Sequence, residues 1–88
     1  MKFDEPKVTK AIIEHIEPLF DVWKRDACLN EEESIVLYHK LFDPEKPDDL
    51  TIRDILADKI DKKYQYYHII KIRRIYKKAR NKLNKILP

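Results

Sequence analysis

The chain of 88 residues contains no glycine at all, where average usage would supply roughly six. That absence excludes whole function classes. Phosphate-cradling loops and type I′ hairpin turns both depend on glycine. A nucleotide-binding enzyme and a compact β-barrel are therefore not expected. Cysteine is almost absent too, with Cys28 alone. A secreted domain this small normally carries an even disulfide set, so the reducing cytoplasm is the expected location. No apolar run approaches the roughly 20 residues of a membrane span. No apolar signal core follows Met1-Lys2-Phe3-Asp4-Glu5-Pro6, so no membrane association is expected.

The third absence is of negative charge at one end. From Lys62 to Pro88 there are 10 basic residues and no acidic one. Residues 1–50 hold 7 Lys+Arg against 13 Asp+Glu, a net of −6. Residues 51–88 hold 12 against 3, a net of +9. The overall charge of +3 thus conceals a strong dipole. Such asymmetry between halves points to a polyanionic partner.

The chemistry of catalysis and metal binding is sparse. His15, His39, His68 and Cys28 lack the close spacing of a structural zinc site. Asp48 and Asp49 lack the rest of a calcium loop. No serine or cysteine stands in a recognisable nucleophile motif. No enzyme activity, cofactor or metal is expected.

What remains is helix-forming sequence. Val8, Ile12 and Ile16 keep helical spacing over residues 7–17. Pro18 then opens a second helix or kinks the first, and Phe20 and Trp23 read as core anchors. Asn30 is a good N-cap with Glu33 at the capping-box position. That helix should run to about Phe42, burying some of Ile35, Tyr38, Leu41 and Phe42. Residues 43–49, with two prolines, form the clear loop. The next helix is expected to start with Thr51 as N-cap and Asp54 as its box partner, its stripe being Ile52, Ile55, Leu56 and Ile60. After a polar break at Asp61-Lys62-Lys63, one long helix is expected from Tyr64 to about Leu87. Its apolar face is Ile69, Ile72, Ile75, Tyr76, Ala79, Leu83 and Ile86, with Arg74, Lys77, Lys78, Asn81 and Lys85 opposite. The stretch Tyr64-Gln65-Tyr66-Tyr67-His68-Ile69-Ile70-Lys71-Ile72 is rich in aromatic and β-branched residues that favour strands, but no second strand exists to pair with it. Tyr76 should be buried and Tyr67 half exposed, with Tyr64 and Tyr66 undecided.

The expected fold class is all-α, a small bundle of four to five helices with a helix-turn-helix and a long basic C-terminal helix. The chain reads as a single domain, residues 1–28 supplying N-terminal helices and residues 29–88 the helix-turn-helix module. In such a motif the first helix braces the second, whose N-terminal side chains enter the major groove of duplex DNA. The candidate DNA-binding residues are Lys62, Lys63, Tyr64, Gln65, Tyr67, His68, Lys71, Arg74, Lys77 and Lys78. The cations would neutralise phosphates, and Gln65 matches adenine's donor and acceptor pair.

Leu29-Asn30-Glu31-Glu32-Glu33-Ser34-Ile35-Val36-Leu37 resembles the start of sigma-factor region four. Leu50-Thr51-Ile52-Arg53-Asp54-Ile55-Leu56-Ala57 is similar to the first helix of that family's helix-turn-helix. Ile72-Arg73-Arg74-Ile75-Tyr76-Lys77-Lys78-Ala79-Arg80-Asn81-Lys82-Leu83 looks like its closing recognition-helix stretch. Small phage late-transcription regulators share this module. The resemblance implies sequence-specific duplex binding by a transcription regulator, with RNA polymerase as a further partner. The chain departs from the pattern between Ile60 and Ile72, which are about five residues farther apart than in the family. Asp61 stands near the place of the usual glycine, and Lys62 replaces the usual apolar residue after it.

Two other readings stand beside this one. A protein-interaction module, a homodimer or a polymerase-binding subunit, would dock through the acidic half or through the apolar residues around Pro18 without reading DNA. Membrane-surface binding by the basic helix ranks below both, because the core claims its apolar face.

Overall fold

The computed structural model describes residues 19–86, and among these the chain is all-α. Its helices are α1 (Phe20–Asp26), α2 (Glu31–Leu37), α3 (Asp49–Lys59) and α4 (Ile69–Ile86). A π-helical turn, Tyr38–Phe42, extends α2, and a 3₁₀ turn, Lys62–Tyr66, lies between α3 and α4. The periodicity over residues 7–17 and the break at Pro18 fall outside the described residues.

α1 ends without glycine at the position that most favours it. The Cys28 N–H donates to the Arg25 carbonyl at 3.1 Å and the Leu29 N–H to the Lys24 carbonyl at 3.0 Å. These are the two bonds of a Schellman cap, which places its C′ residue in the left-handed region. Cys28 occupies that position with φ 56°. Leu29 then folds back against the core and delivers the chain to Asn30.

At Asn30 the expected capping box is complete. The Asn30 side chain accepts the Glu33 N–H at 2.8 Å, and Glu33 Oε1 accepts the Asn30 N–H at 3.1 Å. The helix runs to Phe42 as expected, but its last turn is wide, with the Asp43 N–H reaching back to the Tyr38 carbonyl at 3.0 Å. Leu41 and Phe42 are buried, while Ile35 and Tyr38 are half-buried. Val36 and Leu37, not among the expected residues, are fully buried beside them.

Two expectations about helix starts are corrected. α3 begins at Asp49, and its cap is Asp48, whose carboxylate accepts the Thr51 N–H at 2.8 Å. Thr51 is the capped residue, because Asp48 is extended (ψ 175°) and stands three residues before a free N–H. The second correction is larger, since the last helix starts at Ile69 rather than Tyr64. Asp61 accepts the Lys63 N–H at 2.9 Å and starts the 3₁₀ turn. Tyr67 and His68 then leave helical geometry before α4. The aromatic and β-branched content of Tyr64–Ile72 was the signal for this interruption.

The core joins Phe20 of α1, the apolar residues of α2 and its π turn, Ile52 and Leu56 of α3, Tyr64, and Ile72, Tyr76, Ala79 and Leu83 of α4. The four α4 residues follow the 3.6-residue period. Ile69 and Ile75 flank the stripe half-buried, and Ile86 is exposed at its end. At 18 residues and 1.5 Å per residue, α4 is about 27 Å long. The longest dimension of the molecule is 36 Å, and α1, α2 and α3 all pack against α4.

Replacing Cys28 by glycine removes the Cβ clash of a left-handed residue, roughly 1–2 kcal/mol, against about 0.5–1 kcal/mol of added chain entropy in the unfolded state. Chemical denaturation of C28G should show a gain of about 0.5 kcal/mol. A loss would mean that the cap tolerates Cys28 without strain.

Candidate nucleic-acid interface

The rotation of α4 about its axis decides which cations face solvent. With the apolar stripe inward, the helical period of 100° per residue sorts the basic residues into three strips. Lys71, Lys78 and Lys82 lie on the flank toward α2. Arg73 and Arg80 lie on the flank toward α3. Arg74, Lys77 and Lys85 form the outermost ridge, with Lys78 at its edge.

The α2 flank is partly neutralised. Lys82 Nζ lies 2.8 Å from Glu33 Oε1, and Glu33 is only 2% exposed. Burial pushes the Glu33 carboxyl up. The hydrogen bonds from Lys82 and the Asn30 N–H, with the charges of Lys82 and Lys78, outweigh it and hold the group below its ordinary value of 4.5. Its second oxygen, Oε2, is buried without a hydrogen-bond partner among the described residues. Lys71, Arg74 and Lys78 line a shallow hollow together with Glu32 and Glu33.

The α3 flank is neutralised at one end. Arg73 Nε lies 2.9 Å from Asp49 Oδ2, and Lys40 pairs with the other oxygen. Burial pushes the Asp49 carboxyl up, but the two cations hold it below the usual carboxylate range. Arg80 stacks over the Tyr76 ring at 5.3 Å.

Of the ten basic residues after Asp61, Arg73 and Lys82 are thus ion-paired. Lys62, Lys63, Lys71, Arg74, Lys77, Lys78 and Lys85 are exposed and form no ion pair with the described residues. Lys71 and Lys63 are nonetheless placed, Nζ standing 4.2 Å from the Tyr67 ring centroid and 5.6 Å from that of Tyr64.

The remaining candidates separate. Tyr64 is 5% exposed and belongs to the core rather than to a contact surface. Its hydroxyl donates to Glu32 at 3.4 Å and its ring packs on Tyr67 at 4.6 Å. Burial, then the Glu32 charge, push its phenol up to about 12. Gln65 is exposed, but in the 3₁₀ turn and not at the start of a groove-entering helix. His68 is exposed and its Nδ1 accepts the Ile70 N–H at 3.1 Å, so it caps α4. Tyr67 is half-buried as expected, and its carbonyl accepts from the Arg53 guanidinium at 3.4 Å. Tyr66, left undecided by the sequence, is 83% exposed. Sequence reasoning missed the Glu33–Lys82 and Asp49–Arg73 pairs, whose partners lie 49 and 24 residues apart.

No helix among the described residues is long and apolar enough to cross a membrane. No protein-family model, curated protein or solved structure matches this chain. The reading of the site accordingly rests on its own residues.

Two measurements check the electrostatics. Lys82→Met strands a buried carboxylate, so it should cost on the order of 3 kcal/mol at neutral pH, whereas Lys78→Met should stay within about 0.5 kcal/mol of wild type. The folded pKa of Glu33 is depressed, so its contribution is present above the ordinary carboxylate range and lost as pH falls through that range. The gap between wild type and K82M should therefore close in acid, and a pH-independent gap would rule out Glu33 as its source. For Tyr64 the sign is opposite. Its folded pKa is raised, so its contribution is intact below pH 10 and lost as pH rises toward about 12. Absorbance titration should show late tyrosine ionisation, and Tyr64→Phe should reduce its amplitude by one group.

Proposed function

We propose that the protein binds duplex DNA through the exposed basic ridge of α4, with α3 as the bracing helix, and acts as a small transcription regulator. The carrying observation is the division of cations. Arg73 and Lys82 are tied to carboxylates of the bundle, while Arg74, Lys77, Lys78 and Lys85 face outward on one side of a helix held by four buried residues. Cations that serve only to offset the acidic half would pair with it. Cations on a rigid rod release counterions when phosphates approach, which is the driving term of DNA affinity.

The interrupted start of α4 modifies the expected readout. Gln65 and the Tyr67 backbone precede the helix, so base contacts at its N-terminus fall to Lys71 and Arg74. Arginine matches guanine's two major-groove acceptors. Sequence preference at that end is therefore expected for guanine, with the phosphate-contacting ridge behind it.

Fluorescence anisotropy with a labelled duplex tests this. Log affinity should fall linearly with log salt, with a slope of roughly −3 to −4 for four ridge contacts. Lys77→Ala should weaken binding for all sequences and flatten the slope by about one contact, while Arg74→Ala should also relax preference at one position, a loss of about 1–3 kcal/mol. Duplex binding that is undetectable at low salt would sink the proposal and leave a protein-interaction module as the better account.

A further inference from the structure

The turn between α3 and α4 carries an aromatic ring that the fold does not use. A 3₁₀ helix has three residues per turn, so side chains three apart eclipse one another. Tyr64 and Tyr67 share the inward side, where their rings pack at 4.6 Å. Lys63 and Tyr66 share another side, and both are exposed. Tyr66 is the most exposed large apolar residue of the described chain at 83%.

The mount beneath this ring is fixed. Asp61 caps the turn on one side. The Tyr67 N–H donates to the Tyr64 carbonyl at 3.0 Å. Arg53 holds the Tyr67 carbonyl and His68 caps α4 on the other side. The exposed charged residues of the turn and of the adjoining end of α4 are Lys62, Lys63 and Lys71, with one carboxylate, Asp61, already engaged in capping; α3, which packs against the turn, adds the exposed Asp54, Asp58 and Lys59. An exposed aromatic ring on a hydrogen-bonded turn that also carries lysines is the arrangement that stacks on a nucleic-acid base while its phosphates are neutralised alongside.

Resting on the DNA-binding reading above, we infer that Tyr66 is a base-stacking platform, so that the preferred substrate is DNA with an unpaired base beside the duplex bound by the α4 ridge. In an intact duplex each base face is already covered by its neighbours. An unpaired base offers a free face, and stacking then adds to the phosphate contacts without replacing them. Tyr66 lies three residues before the first turn of α4, and the proposal requires both contacts to be made at once.

The test uses the full chain and two labelled duplexes of the same sequence, one flush and one with a single bulged 2-aminopurine. Wild type should bind the bulged duplex at least about fivefold more tightly, the lower end of what stacking one base supplies, and should quench the 2-aminopurine. Tyr66→Ala should lose both effects while binding the flush duplex as wild type does, and Tyr66→Trp should retain both. At 83% exposure neither substitution should alter the fold, which circular dichroism would verify. Equal affinity of wild type for the two duplexes, or Y66A behaving as wild type on the bulged one, would overturn the stacking role and leave the ridge intact. Absence of binding to either duplex at low salt would overturn both the ridge and the platform.

Discussion

The architecture depends on one buried carboxylate. Glu33 closes the capping box that starts α2 and, with the same oxygen, receives Lys82 from the far end of the chain. A buried ion pair adds little net stability, because desolvation offsets most of the attraction. What it adds is a geometric condition. The apolar stripe of α4 decides which face points inward, but a stripe of similar side chains tolerates sliding along the helix axis. Glu33 keeps its partner only in the register where Lys82 stands over the first turn of α2. The Asp49–Arg73 pair sets the same condition near the other end of α4. Two pins on opposite flanks fix both the rotation and the position of the basic helix.

That placement creates the division among the cations. The flank toward α2 sits over Glu32 and Glu33, and its potential is reduced there. Of the ridge, Lys77 is turned about a third of a turn away from the middle of that flank, and Arg74 and Lys85 about a sixth of a turn or less. At physiological salt, exposed charges beyond about 8 Å are largely screened from one another. The acidic half of the molecule thus subtracts most from the flank, less from Arg74 at the edge of the same hollow, and least from Lys77. A chain with a modest net charge of +3 can in this way present a locally strong cationic surface, because its negative charge is spent where the bundle is pinned.

Local signals in the sequence reported local structure faithfully. The Asn30 and Glu33 spacing marked the start of α2, the proline-rich segment marked the loop before α3, and the 3.6-residue period of α4 identified Ile72, Tyr76, Ala79 and Leu83 as buried. The failures came where two local readings competed or where distant residues decided. Asp48 and Thr51 both cap well, and only the extended backbone at Asp48 settles which of them does. Between Ile60 and Ile69 helix propensity and aromatic content disagreed, and burial of Tyr64 against Tyr67 and Glu32 resolved the conflict in favour of a turn. The site was legible as a charged face. Which of its cations are tied down was not, since Glu33 and Lys82 are 49 residues apart and nothing in the periodicity of either segment announces the other.

The missing glycine has a structural consequence at the same turn. A tight connection between two bracing helices ordinarily passes through a left-handed residue, which glycine adopts without strain. This chain instead spends five residues in a 3₁₀ turn and two more in non-helical backbone, and it holds the longer connection by sinking Tyr64 into the core. The result lengthens the exposed basic surface on which the proposed function rests. The ridge from Arg74 to Lys85 covers 12 residues, a rise of about 16 Å of helix, which matches the axial rise of roughly five phosphates on one strand at 3.4 Å each. A ridge of that length saturates at a handful of ionic contacts, and a monomer limited to it would bind weakly and without much selectivity. On the DNA-binding reading proposed above, extending the surface past the N-terminus of α4, through Lys71 to the exposed side of the turn, would add contacts of a different kind that a tight glycine turn would have hidden.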